Sequence, residues 1–227
     1  MTANRARPLS TALTSVILPI ALLTAVMIGL GFLVTHVLEQ VWPFAIEDQA
    51  VRALVAARTP ARDRVSEVVS LMAYTPGLAT MLVVAGGTMR LAYERWRESL
   101  FLAAALLCQL VVFKLTAWIV GRARPAVPHL DTFPPMQSFP SGHAAAASAL
   151  YGGIAVVLVM HSRRRALAAV WWALLLLVPL AVAISRVYRG MHYPSDVAAS
   201  FIVGLGCLWI LRRAMLTPVE QRGISES

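Results

Sequence analysis

Hydrophobic positions along this chain gather into long, nearly uninterrupted runs separated by short polar segments, rather than alternating or recurring on one helical face. Six runs approach the ~20 apolar residues that a helix needs to cross a hydrocarbon core of about 30 Å. They lie at about Leu9 to Leu38, Val68 to Met89, Leu100 to Val120, Ala144 to Met160, Ala166 to Ile184 and Val197 to Leu211. Lipid offers no partner to backbone N–H and C=O groups, so each run is predicted to be a helix. Pro76-Gly77 inside the second run predicts a kink. Between the first two runs, Phe44 to Ala61 sets Val51, Leu54 and Val55 opposite Arg52 and Arg58, the pattern of a helix lying in the interface.

Composition agrees. Of the 227 residues, 59% are hydrophobic and 14% charged, which excludes an ordinary soluble domain. The expected fold is all-α, a polytopic bundle of six transmembrane helices forming a single domain over 1–227. A basic head (1–8) and a polar tail (217–227) flank it, and the first helix reads as an uncleaved span because it far exceeds a signal core of ~7–15 residues. Cys108 and Cys207 fall within spans and are expected to stay unbridged.

The net charge of +9 does not point to nucleic acid, because the basic residues are spread over short loops. Arg5, Arg7, Arg90, Arg95, Arg97, Arg163, Arg164, Arg165, Arg212, Arg213 and Arg222 share one side if the spans alternate. By the positive-inside rule that side is cytoplasmic, with both termini there, in a plasma (inner) membrane. Arg122, Arg124, Arg186 and Arg189 lie on the outer side, against the rule, and call for another explanation.

Three polar clusters meet the outer span ends: Gly121-Arg122-Ala123-Arg124-Pro125, Pro140-Ser141-Gly142-His143, and the stretch from Ser185 to Asp196. Ser141 is suited to cap a helix, and Gly142 leaves room for an anion to approach the first N–H groups. His143 is placed to hand a proton to a leaving group. Arg124 and Arg186 are planar donors suited to phosphate oxygens. His192 and Asp196 stand four apart, so the carboxylate can hold one ring nitrogen while the other attacks phosphorus. No metal cage is evident, so neither metal nor cofactor is expected. His129 and Asp131 read as solvated loop residues, and His36 and His161 as interface residues. Cys207 and Arg213 have cysteine-phosphatase spacing but sit in an apolar helix, where a thiolate is disfavoured.

Taken together, the clusters resemble the motifs of the type 2 phosphatidic acid phosphatase superfamily. Ser185, Arg186, His192 and Asp196 match its Ser-Arg-x5-His-x3-Asp motif, and residues 140 to 143 match Pro-Ser-Gly-His. The resemblance implies His192 as nucleophile, Asp196 as its assistant and His143 as the acid, with Arg124, Ser141, Gly142 and Arg186 on phosphate. The family's first-motif lysine corresponds to Ala117 here. Lys114, one turn deeper, or Arg122 is the candidate replacement. The implied activity is removal of phosphate from a lipid phosphate or diphosphate at the outer face, with a polyprenyl diphosphate such as undecaprenyl diphosphate favoured. Phosphatidic acid and phosphatidylglycerophosphate are the alternative substrates. A vanadium haloperoxidase and an anion transporter or channel without hydrolysis are the competing readings.

Overall fold

The computed structural model describes residues 13–132 and 137–217; Arg5, Arg7, Pro134, Pro135 and Arg222 fall outside them. Among the described residues the chain is helical, with no strand. Helix α1 (Leu18–Phe32) is prolonged by π-type turns at both ends into an apolar span, Thr14–Val37. Then come α2 (Glu47–Ala56), α3 (Pro60–Leu71), α4 (Thr75–Tyr93), α5 (Arg97–Val120), α6 (Gly142–His161), α7 (Arg165–Tyr188) and α8 (Pro194–Leu211). Among the described residues five helices are long and apolar enough to cross a membrane, and α3 with α4, bent by 51° at their break, makes a sixth if the pair is one span.

That bend falls at Met72–Tyr74, just before Pro76, which occupies the first turn of α4 where a missing N–H costs nothing. The broken span starts earlier than its hydropathy suggests, at Pro60, because α3 is polar on one side. Asp63, Ser66 and Ser70, spaced three and four apart, face α7. Asp63 Oδ1 accepts from the Tyr188 hydroxyl at 2.7 Å, the Ser66 carbonyl from Ser185 Oγ at 2.7 Å and Ser70 Oγ from Arg186 Nη1 at 2.8 Å. Helix α7 therefore continues past Ile184 and carries Ser185 and Arg186 inside it, rather than releasing them into a loop. Similarly, α8 begins at Pro194 and holds Asp196 in its first turn.

The bundle is built around α6, which packs against α5, α7 and α8. Lipid tails are as apolar as leucine, so what holds such helices together is close van der Waals contact, and small residues permit it. Ala144 to Ala149 are all buried along α6. Where α6 meets α8, a Cβ added at Gly204 would lie 2.5 Å from Ser148 Cβ and 3.0 Å from the Ala145 carbonyl oxygen. A larger residue would pry the pair apart.

At the basic end of the bundle, Arg97 Nε donates to the Met215 carbonyl at 2.6 Å, and Arg95 Nη2 lies 3.2 Å from His161 Nε2. His161 is more than an interface residue: its ring stacks on Tyr93 at 3.9 Å beside the buried Glu98. The ends of α4, α5, α6 and α8 thus share one side. The three polar clusters gather at the other.

Candidate active site

His192 lies in the short connection between α7 and α8 and is 3% exposed. The connection turns at Gly190, where φ is +74°, a conformation that side-chain-bearing residues rarely adopt. A Cβ there would also sit 2.9 Å from Val127 and 3.2 Å from the Pro128 carbonyl. His192 Nδ1 stands 2.7 Å from the Ser138 carbonyl oxygen. A carbonyl only accepts, so Nδ1 carries the proton and Nε2 keeps its lone pair.

This differs from the expected direct grip by Asp196, whose Oδ2 is 3.8 Å from Nδ1, beyond hydrogen-bond range. The carboxylate acts one step removed. Its Oδ2 accepts from Ser138 Oγ and, at 2.8 Å, from the Tyr193 amide, while Oδ1 accepts from Arg122 Nη1 at 2.6 Å. Ser138, held in turn by its amide on the Arg122 carbonyl at 2.7 Å, joins carboxylate to imidazole.

Arg186 is 1% exposed. Its Nη1 donates to Ser70 Oγ at 2.8 Å and to Asp131 Oδ2 at 2.6 Å, but its Nε is buried without a partner. Ser141, fully buried, occupies the N-cap position of α6, yet its hydroxyl caps nothing and is also unpartnered. Orphaned donors of this kind are rare because each costs about 1–3 kcal/mol, and an anion is the kind of acceptor that suits each of them. Arg124 Nη1 donates to the Met191 carbonyl at 2.5 Å. His143 has Tyr74 edge-on against its ring at 4.7 Å, and the titratable groups near it are Arg186, His192, Asp131 and Arg124. Gly142 serves packing as well as access, for a Cβ there would lie 2.7 Å from the Phe113 ring.

The two candidates for the missing first-motif cation are not brought to this place. Arg122 is buried, with Nη1 on Asp196 and Ser195 Oγ and Nη2 on Glu47 at 3.3 Å, so its charge is already committed. Lys114 lies on the exposed face of α5 with Val111, Leu115 and Trp118, its Nζ 5.6 Å from the Phe113 ring centre. Ala117, at the motif position itself, is buried.

Residues 98–219 match the profile of the PAP2 superfamily, more than half of the chain. The chain belongs to the PAP2 superfamily. It is 27% identical over 170 residues to phosphatidylglycerophosphatase B of Bacillus subtilis, covering 73% of this chain and 81% of that one. The crystal structure of a transmembrane PAP2-type phosphatidylglycerolphosphate phosphatase from Bacillus subtilis superposes with a TM-score of 0.74 at 22% identity, over 84% of this chain and 94% of that one. Aquifex aeolicus LpxE gives 0.57 at 25% identity, over 76% and 98%.

Within this PAP2 protein, electrostatics divide the site. Burial pushes the His192 pKa below its ordinary value; Asp196 opposes this, Arg124 and Arg186 add to it, and the imidazole is neutral near pH 7. Burial and then the Arg186 charge likewise lower Arg124. Asp131 is not a solvated loop residue. Burial alone would raise its pKa, but Arg189 and Arg186 override that and hold it at about 2. Its oxygens take Arg186 Nη1 together with Arg189 Nε at 2.9 Å and Nη2 at 2.5 Å.

Sequence reasoning passed over Glu47, Tyr74 and Ser138 and set Asp131 aside. The signal for Asp131 was an acid among prolines beside a motif arginine; for Ser138, a serine two residues ahead of Pro140. Glu47 and Tyr74 come from connectors whose pattern marked only a face or a kink. Cys207 is wholly buried in α8 and Arg213 stacks over Trp209 at 4.2 Å, so the cysteine-phosphatase spacing builds no loop.

Proposed function

We propose that this protein is a lipid phosphatase working through a phosphohistidine on His192. Nε2 attacks phosphorus, the N–P bond forms as the P–O bond to the lipid breaks, and His143 gives its proton to the departing oxygen. Water then attacks phosphorus and passes a proton to His143 while the N–P bond breaks, its electron pair returning to His192 Nε2 as inorganic phosphate leaves. Arg124, Arg186, the Ser141 hydroxyl and the first N–H groups of α6 hold the equatorial oxygens, which makes charge stabilisation the main source of rate. The observation that carries this reading is the tautomer of His192, with Nδ1–H engaged by a carbonyl and a free lone pair on Nε2.

The proposed substrate class is a membrane lipid ending in a phosphate. The relatives' names put phosphatidylglycerophosphate first; the expected outward orientation keeps undecaprenyl diphosphate and phosphatidic acid beside it. Arg124 and Arg186 supply positive charge on the side of His192 assigned to phosphate, so the reaction is proposed to need no metal.

Phosphate release from these three lipids by purified protein in detergent tests the reading. Activity toward at least one, retained in chelator and lost in His192→Ala, is expected. A His143→Ala variant should slow release of the enzyme-bound phosphate and trap label on His192. Undiminished turnover by His192→Ala would overturn the mechanism. Anion binding without any phosphate release would move the protein to the transporter class.

A further inference from the structure

We infer that Glu47, at the start of the interfacial helix α2, is a positioning residue for the His192 and Asp196 pair. The inference rests on the lipid phosphatase reading. Glu47 is 8% exposed although it lies in a connector outside every span. Its Oε1 accepts from the Ser195 amide at 2.7 Å, and its Oε2 from Ser195 Oγ at 2.8 Å and Arg122 Nη2 at 3.3 Å.

The Ser195 amide is one of the N–H groups at the start of α8 that no helical carbonyl can reach, and Pro194 before it has none. Glu47 therefore caps α8 from another element, with its negative charge at the positive end of that helix. Asp196 is the next residue in the same turn. Arg122 lies between the two carboxylates and 4.3 Å from the Tyr193 ring, so it is fixed only while both remain charged. The chain of contacts runs from Glu47 through Arg122 and Ser195 to Asp196, then through Ser138 to His192 Nδ1.

Losing the Glu47 carboxylate leaves the Ser195 amide unpaired and Arg122 held at one end. Asp196 and Ser138 can then shift, and His192 with them. Glu47, Arg122, Ser195, Asp196 and Ser138 are not among the groups assigned to hold phosphate, so the effect belongs in the chemical step on His192 rather than in substrate binding. Misplacement of a reacting group by about 1 Å is enough to cost on the order of a hundredfold in rate.

The test is steady-state phosphate release by full-length purified protein, normalised to folded protein, on the lipid that the wild type hydrolyses best. Glu47→Ala should lower kcat about tenfold or more with KM changed less than about twofold, and Glu47→Gln, which keeps one acceptor for the Ser195 amide, should fall between. Asp48→Asn, next in sequence but in an exposed pair with Arg52, should match the wild type. In an Asp196→Asn background the Glu47 substitution should add little. Unchanged kcat per folded molecule in Glu47→Ala, or full additivity with Asp196→Asn, overturns the inference. Retained activity in His192→Ala instead defeats the phosphatase mechanism itself.

Discussion

Replacing Asp131 by asparagine tests whether the arginines of the site depend on it. Asp131 is the carboxylate between two guanidiniums, Arg186 and Arg189, and the three side chains are 5%, 1% and 8% exposed. Removing one partner of such a buried pair strands charge and costs about 3–5 kcal/mol. Asparagine keeps one acceptor, and Ser70 and Ser66 still take Arg186 and Arg189 at 2.8 and 3.0 Å, so about 2–4 kcal/mol is the expected loss. For a chain of this length that lowers the unfolding midpoint by roughly 5–15 °C. Orthovanadate, bringing its own negative charge to Arg186, should restore more of the midpoint in the variant than in the wild type. Thermal unfolding followed by tryptophan fluorescence in detergent, with and without vanadate, measures both effects. Because the Asp131 pKa is depressed to about 2, its contribution is complete above its ordinary value near 3.8 and lost only as the pH falls through about 2. The gap between variant and wild type should therefore stay constant from pH 5 to 8, on the order of several degrees. A midpoint within about 2 °C of wild type, with no extra vanadate effect, would refute the reasoning.

Three other outcomes are expected. Gly204→Val should cost about 1–3 kcal/mol or more by overpacking the α6 and α8 contact, read as a lower midpoint and less monodisperse protein. Lys114→Ala should retain kcat within about threefold, while Arg122→Ala should lose it through Asp196; equal losses would return Lys114 to the phosphate. The acid limb of the kcat/KM profile should have its midpoint below the ordinary histidine value of about 6.5, since His192 must be neutral to attack. Arg124→Gln removes a positive neighbour and should move that midpoint upward; a downward move would contradict the electrostatics.

The spans were legible because lipid demands unbroken apolar runs, and the motifs were legible because they sit where those runs stop. What escaped the sequence is where a helix is polar and still buried. Ser185 and Arg186 end the apolar pattern of α7, yet the helix continues to Tyr188 because Ser66 and Ser70 of α3 supply partners. Helix α3 was hidden for the same reason, since Asp63, Ser66 and Ser70 make it look like a connector. Hydropathy records only the preference for lipid or water, and these residues find neither. The periodicity of α2 predicted an apolar face, and Val51 is indeed wholly buried, but no spacing rule pairs Glu47 with Ser195, 148 residues away. The role of Arg122 was misread because an arginine beside a motif arginine looks like a second phosphate donor until its counter-ions are seen.

The two charge networks around His192 are opposite in balance, and that asymmetry fits the proposed chemistry. On one side, Arg186 and Arg189 share the carboxylate of Asp131 and Arg124 stands close enough to feel both the Arg186 and Asp131 charges, leaving an excess of positive charge for a phosphate. On the other, the guanidinium of Arg122 lies between the carboxylates of Asp196 and Glu47, leaving an excess of negative charge. Attack by Nε2 makes the imidazole cationic while electron density moves onto phosphate oxygens. Charge thus develops in the direction that the fixed groups already favour, with little reorganisation needed during reaction. If Asp196 alone supplied the negative side, neutralising Arg122 by Arg122→Met would leave the imidazolium better stabilised and the rate intact. Because Arg122 also fixes where that carboxylate points, the rate should fall instead, and the sign of that single change separates a purely electrostatic role from a geometric one.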